Sequence, residues 1–242
     1  MATSIGTMKQ GVYTGPGSGT TVNITNVTQD SGSDGYLYLI LMHQNNYTPT
    51  ASYNGSGMTK FLSYWGQGVY WDIYELASPS TGSNTLTLTY NPWQEYGSNI
   101  SYWIISTTGA AGYGNTKTAS GLASGSGLNC NLSSITTGSA VVLAATLPHP
   151  IYYNQTLTVD STTRDYDPGG NTTPYTQQTG SANRSTGWYK VSASTGNTNM
   201  KSDWGYNMAG VAFEILAGGG GPPPPAPPPA PPPVGRRRII IT

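Results

Sequence analysis

The 242-residue chain is long enough for one large β-domain or two small ones. Only 8 % of it is charged, against about a quarter in an average protein, so solubility must come from hydroxyls and amides, while regularly recurring Tyr, Trp, Val, Ile and Leu exclude a typical disordered chain. The formal charge of zero hides a split: seven Lys or Arg stand against ten Asp or Glu before Gly218, a net −3, and Arg236, Arg237 and Arg238 return +3.

Residues 1–20 are polar and glycine-rich, ending in Gly15-Pro16-Gly17-Ser18-Gly19, and read as an extended arm. The first residues carry neither a basic nor an apolar stretch, so no secretory signal is expected there. Residues 21–27 alternate as a strand, with Val22, Ile24 and Asn26 on one face. Residues 30–35 are a turn. Residues 36–42 (YLYLILM) are almost continuously apolar, which predicts a central strand covered on both faces. This longest apolar run is far short of the roughly 20 residues that span a bilayer, so no membrane segment is expected.

Residues 51–90 predict four short strands joined by tight turns. Residues 51–54 lead out and Gly55-Ser56-Gly57 turns. Residues 58–65 return and Gly66-Gln67-Gly68 turns again. Residues 69–76 alternate, with bulk from Val69, Trp71, Ile73 and Tyr74. Ser78-Pro79-Ser80-Thr81-Gly82 then leads into residues 84–90, where Leu86 and Leu88 alternate with threonines.

The same stretch carries a resemblance. Ser52-Tyr53-Asn54-Gly55, Met58-Thr59, Ile73-Tyr74-Glu75-Leu76 and Pro79-Ser80-Thr81-Gly82-Ser83-Asn84-Thr85-Leu86 together resemble a β-sandwich module of tailed-phage structural proteins and bacterial surface proteins. Its strand layout is similar to that of the concanavalin-like jelly rolls. Residues 209–216 look like the module's closing strand. The resemblance implies a fold; its residues build turns and core, and it brings no catalytic set.

Further along, residues 100–106 (ISYWIIS) predict a strong strand, and residues 107–127, poor in bulky side chains, a long surface loop. Residues 128–133 and 140–147 are strands, the second ended by Pro148-His149-Pro150. Residues 160–186 are rich in turn formers and read as a second long loop. Residues 187–192 and 209–216 close the sheet. No window shows helical periodicity over three turns. About ten short strands argue for a sandwich. The expected fold is therefore all-β: an antiparallel, jelly-roll-like β-sandwich over residues 21–217 with an extended proline-rich tail.

That tail begins with a hinge at residues 218–221. Pro222 opens and Pro233 closes a run of ten prolines and two alanines. Proline fixes φ and lacks the donor N–H, so the run predicts a polyproline II rod of ~37 Å at about 3.1 Å per residue. Arg236-Arg237-Arg238-Ile239-Ile240-Ile241-Thr242 follows. The isoleucines have strand propensity and suit a partner's sheet edge, and the arginines suit carboxylates beside it. Three arginines are too few to argue for nucleic acid.

The chain has no G-x-S-x-G elbow, no H-E-x-x-H, no phosphate-binding glycine loop and no C-x-x-C. The two histidines, His43 and His149, read as loop or strand-end residues. Asp72 and Glu75, three apart on a strand, point to opposite faces and make a poor glycosidase pair, so they read as surface charge. Asp165, Asp167 and Asn171 offer oxygen ligands of the kind calcium takes, but Arg164 and the spacing favour a solvated turn, and no metal or cofactor is expected. Cys130, the single cysteine, reads as a small core residue and excludes an intrachain disulfide. Most tryptophans read as core. Trp93 and Trp204, beside Tyr96 and Tyr206, are loop aromatics suited to a glycan.

These features point to a non-enzymatic virion protein of a tailed bacteriophage, a capsid decoration or a tail or fibre component. Its expected partners are other virion proteins and copies of itself, with no membrane and no nucleic acid. Assembly in the host cytoplasm and release by lysis would explain an exposed-protein composition without an export signal; export without a cleaved signal fits equally. The alternative is a carbohydrate-binding host-recognition module.

Overall fold

The most apolar strand of the chain holds the middle of the molecule. The computed structural model describes residues 2–13, 21–43, 48–66, 68–90, 100–122, 128–129, 132, 135–147, 172–174, 178–179, 184–191, 199–200 and 207–218. In chain order the strands are β1 (Ser4–Tyr13), β2 (Thr21–Gln29), β3 (Tyr36–His43), β4 (Thr50–Tyr53), β5 (Ser56–Gly57) and β6 (Thr59–Gly66). Then come β7 (Val69–Ala77), β8 (Gly82–Thr89), β9 (Ile100–Thr108), β10 (Ala110–Leu122), β11 (Leu128–Asn129) and β12 (Ala140–Leu147). Last are β13 (Thr172–Pro174), β14 (Gln178–Thr179), β15 (Arg184–Val191), β16 (Asn199–Met200) and β17 (Asn207–Ala217). Among the described residues there is no helix, and the strand pairs are antiparallel.

Strand β3 lies between β9 and β7 in a five-stranded sheet ordered β1-β9-β3-β7-β6. Leu37, Leu39 and Leu41 point to one side, into a core shared with the four-stranded sheet β2-β8-β4-β5. Tyr38, Ile40 and Met42 point to the other, into a core shared with the sheet β10-β17-β12-β15-β13. All six are fully buried. A strand wetted on one face would alternate; this one is apolar throughout because both faces are covered. The result is an all-β antiparallel sandwich whose middle sheet serves two cores.

The stretch 51–90 weaves between two of these layers. β4 and β5 form a hairpin in the four-stranded sheet, β6 and β7 a hairpin in the middle sheet, and β8 returns to the first. The first turn is Asn54-Gly55, with φ of 47° and 79°. Both central residues being left-handed matches the right-handed twist of the flanking strands. The turn thus falls one residue before the expected Gly55-Ser56-Gly57, and Ser56–Gly57 pairs back as β5. Tyr53, from the same motif, is fully buried, and its hydroxyl lies 2.9 Å from the Gly82 carbonyl and 3.2 Å from that of Val27. The motif residues therefore build turns and core.

Four expectations need correction. Residues 4–13 of the expected arm form β1, an edge strand paired with β9. Thr7 donates its hydroxyl to Asp30 at 2.7 Å and Lys9 its ammonium to the Thr25 carbonyl at 2.6 Å, partners that local composition does not reveal. Asn26 does not share a face with Val22 and Ile24: a bulge lets Val27 turn inward instead, and Asn26 takes the strain at φ 55°. The expected surface loop at 107–127 contains the 13-residue β10, paired along β17. Its small side chains lack a strand signal, but pairing is made by backbone. Within the second expected loop, 172–174 and 178–179 are short strands against β15, and β15 itself starts at Arg184. The proline-rich tail lies outside the described residues.

Candidate binding site

The carboxylate expected on the surface is buried. Asp72, in the middle of β7, has no exposure, because alternation turns it to the same face as Tyr74, toward the four-stranded sheet. A charge there must be paired. His43, at the end of β3, is its diagonal neighbour on that face: Tyr70 stands opposite His43 and Leu41 opposite Asp72. His43 Nε2 lies 3.0 Å from Asp72 Oδ2. From the other side, the Ser63 hydroxyl donates to Oδ1 at 2.7 Å, and Lys60 Nζ stands 3.4 Å from the same oxygen. Burial alone would raise the Asp72 carboxyl; the hydrogen bond and charge of His43, with Lys60 and Ser63, outweigh it and hold the group below its ordinary value.

This cluster is an anchor rather than a relay. A nucleophilic serine must place its hydroxyl on the imidazole. Here Asp72 sits between Ser63 and His43, so the serine proton points to the carboxylate and not to the imidazole. Glu75 is on the opposite face of β7, as alternation predicts, and its direction of shift is opposite. Burial pushes its carboxyl up to about 7, against a lowering hydrogen bond from the Tyr113 backbone. Its Oε2 is buried without a hydrogen-bond partner among the described residues.

The polar anchor carries an aromatic ladder. The His43 ring stacks on Tyr70 at 5.6 Å between centroids, with 19° between planes. Tyr70 in turn meets Trp65 at 4.4 Å and 37°. Trp65 and Tyr70 stand opposite each other near the end of the β6–β7 hairpin. Trp65 is 53 % exposed, the large hydrophobic side chain left in solvent among the described residues. Trp71 and Trp103 are buried as expected, stacked at 6.0 Å in the core that faces β17.

Of the residues singled out from the sequence, His43 is a strand-end residue as read, but it belongs to this cluster. Trp93, Tyr96, Trp204, Tyr206, Asp165, Asp167, Asn171, Cys130, His149 and the tail residues Pro222, Pro233, Arg236, Arg237, Arg238, Ile239, Ile240 and Ile241 lie outside the described residues. Among the described residues no three His, Cys, Asp or Glu side chains converge as metal ligands would. The burial of Asp72 has a signal in the sequence: Trp71 and Ile73 fill one face of its strand and Tyr74 the other, leaving no wet face. Trp65 has none, since Tyr64 beside it is also aromatic and periodicity cannot choose between them.

No family model, no curated protein and no solved structure matches the chain.

Proposed function

We propose that this protein is a non-enzymatic structural module of a tailed-bacteriophage particle, held to its neighbours by its C-terminal tail. The observation that carries the reading is where the tail departs. β17 is paired on both sides, with β10 and with β12, and its end is clamped by the Gly218 amide donating to the Gly109 carbonyl at 2.6 Å. Anything attached after Gly218 therefore pulls on an inner strand of a sheet and not on a frayed edge. A polyproline rod, preordered and costing little entropy on docking, suits such an attachment. Ile239-Ile240-Ile241 would add to a neighbour's sheet edge, with Arg236 to Arg238 paired to carboxylates.

Two buried carboxylates support the same reading. Asp72 is saturated by three partners, and Glu214 accepts from the Asn115 amide and side chain and from the Thr136 amide. Both are spent on holding strands and loops together. The test is deletion of residues 222–242. The truncated protein is expected to keep its circular dichroism spectrum and to be lost from purified particles. Normal incorporation would show that the body makes the assembly contact and would reject the reading.

A further inference from the structure

We infer that the Trp65–Tyr70 platform is a binding subsite for a neutral sugar ring. Trp65 turns one face to Tyr70 and keeps more than half of its surface in water. An unsupported exposed indole would be a costly choice in a protein that meets solvent with hydroxyls and amides. This one is supported in depth. Tyr70 rests on His43, His43 is tied to Asp72, and Asp72 is fixed by Ser63 and Lys60. Tyr70, His43 and Asp72 are thus positioning residues. They hold the indole in one orientation before any ligand arrives, which lowers the ordering cost of binding.

The shape and charge of the site choose the occupant. A pyranose presents an apolar C–H face of about the area of one indole and a rim of hydroxyls. A protein interface needs a cluster of anchors within roughly 1,000 Å² or more, and among the described residues no second large hydrophobic side chain is exposed. A nucleobase would also stack, but the body before Gly218 carries a net −3, with seven Lys or Arg against ten Asp or Glu, and repels a polyphosphate backbone. A neutral sugar meets no such penalty. Lys60, with its side chain one-third exposed and held by Asp72, offers a donor on the same face. The subsite does not depend on how the protein is attached to a particle.

The experiment uses the full chain on a glycan array bearing hexopyranose, N-acetylhexosamine and deoxyhexose termini, followed by titration with the retained sugar while tryptophan emission is recorded. Retention of at least one class is expected. Trp65→Ala is expected to weaken it by about tenfold or more, the loss of one stacking face, while Trp65→Phe keeps most of it. Because Trp65 is exposed, both variants should fold, and their circular dichroism checks this. Retention of no sugar, or retention unchanged by Trp65→Ala, overturns the proposal. So does Trp65-dependent binding of a single-stranded oligonucleotide, or a Trp65→Ala effect confined to self-association.

Discussion

Two carboxylates three residues apart on β7 shift in opposite directions although the more deeply buried, Asp72, is the one held low, and the difference is their partners. Asp72 is met by an imidazole, an ammonium and a hydroxyl, so its charged form is held. Glu75 has one backbone donor, so burial dominates and the carboxyl rises from 4.5 to about 7. Linkage gives each a sign. Between about 4.5 and 7 folded Glu75 keeps a proton that the unfolded chain releases, so its contribution is full below 4.5 and is lost as pH rises through 7. Asp72 contributes above its unfolded value of 3.8 and loses that contribution as pH falls through its lower folded value. The Glu75 contribution should therefore lower the thermal midpoint from pH 4.5 toward pH 7. Glu75→Gln should flatten that decline while leaving the loss at strongly acid pH, which belongs to Asp72. An unchanged slope in Glu75→Gln would mean that the carboxyl titrates as an ordinary surface group.

The same contrast operates between elements. β10 has a weak sequence signal, yet it is bound to β17 by backbone pairing and by one side chain. Glu214, 1 % exposed on β17, reaches across to the Asn115 amide at 3.2 Å and its side chain at 3.0 Å, and to the Thr136 amide at 2.6 Å. Gly114 makes room for it: a Cβ there would stand 2.6 Å from Glu214 Oε2. Glu214→Ala should remove the carboxylate that both part-buried amides reach, costing on the order of 1 kcal/mol per hydrogen bond lost. Hydrogen exchange at Asn115 and Thr136 should accelerate well before exchange in β3. Uniform acceleration through the whole molecule would show that Glu214 does not act locally. This tie also marks how far local pattern reaches. β3 was legible because its own residues state that both faces are covered. β12 was legible because Ala140 and Leu147 bound an apolar run. β10 was not, because what makes it a strand lies about a hundred residues away. The binding platform was half-legible: the aromatics were visible, but which one reaches solvent depended on the β6–β7 register. The His43–Asp72 pair depended on strands 29 residues apart meeting at one diagonal.

At the scale of the whole molecule, the middle sheet makes the two cores one unit. Leu39 and Ile40 are neighbours on β3, both fully buried, yet Leu39 belongs to the core that holds Leu86 and Leu88 of β8, and Ile40 to the core that holds Val142 of β12 and Phe213 of β17. Neither outer sheet has another apolar partner of this size among the described residues, so each needs the middle sheet to cover its face. Losing the middle sheet on one side would expose a strand that the other side also needs. Leu39→Ala and Ile40→Ala should each cost about 2–5 kcal/mol, the range for emptying a buried aliphatic site. Each should also lower the protection of β8 and β12 amides together, although each side chain touches only one core. Calorimetry should show one transition in the wild-type protein and in both variants. Two separated transitions, or Ile40→Ala loosening β12 while β8 keeps its full protection, would mean that the outer sheets unfold independently and that the shared sheet does not couple them. Such coupling fits a module loaded through β17: a pull on that strand is resisted by both cores, because the sheet it packs against belongs to both.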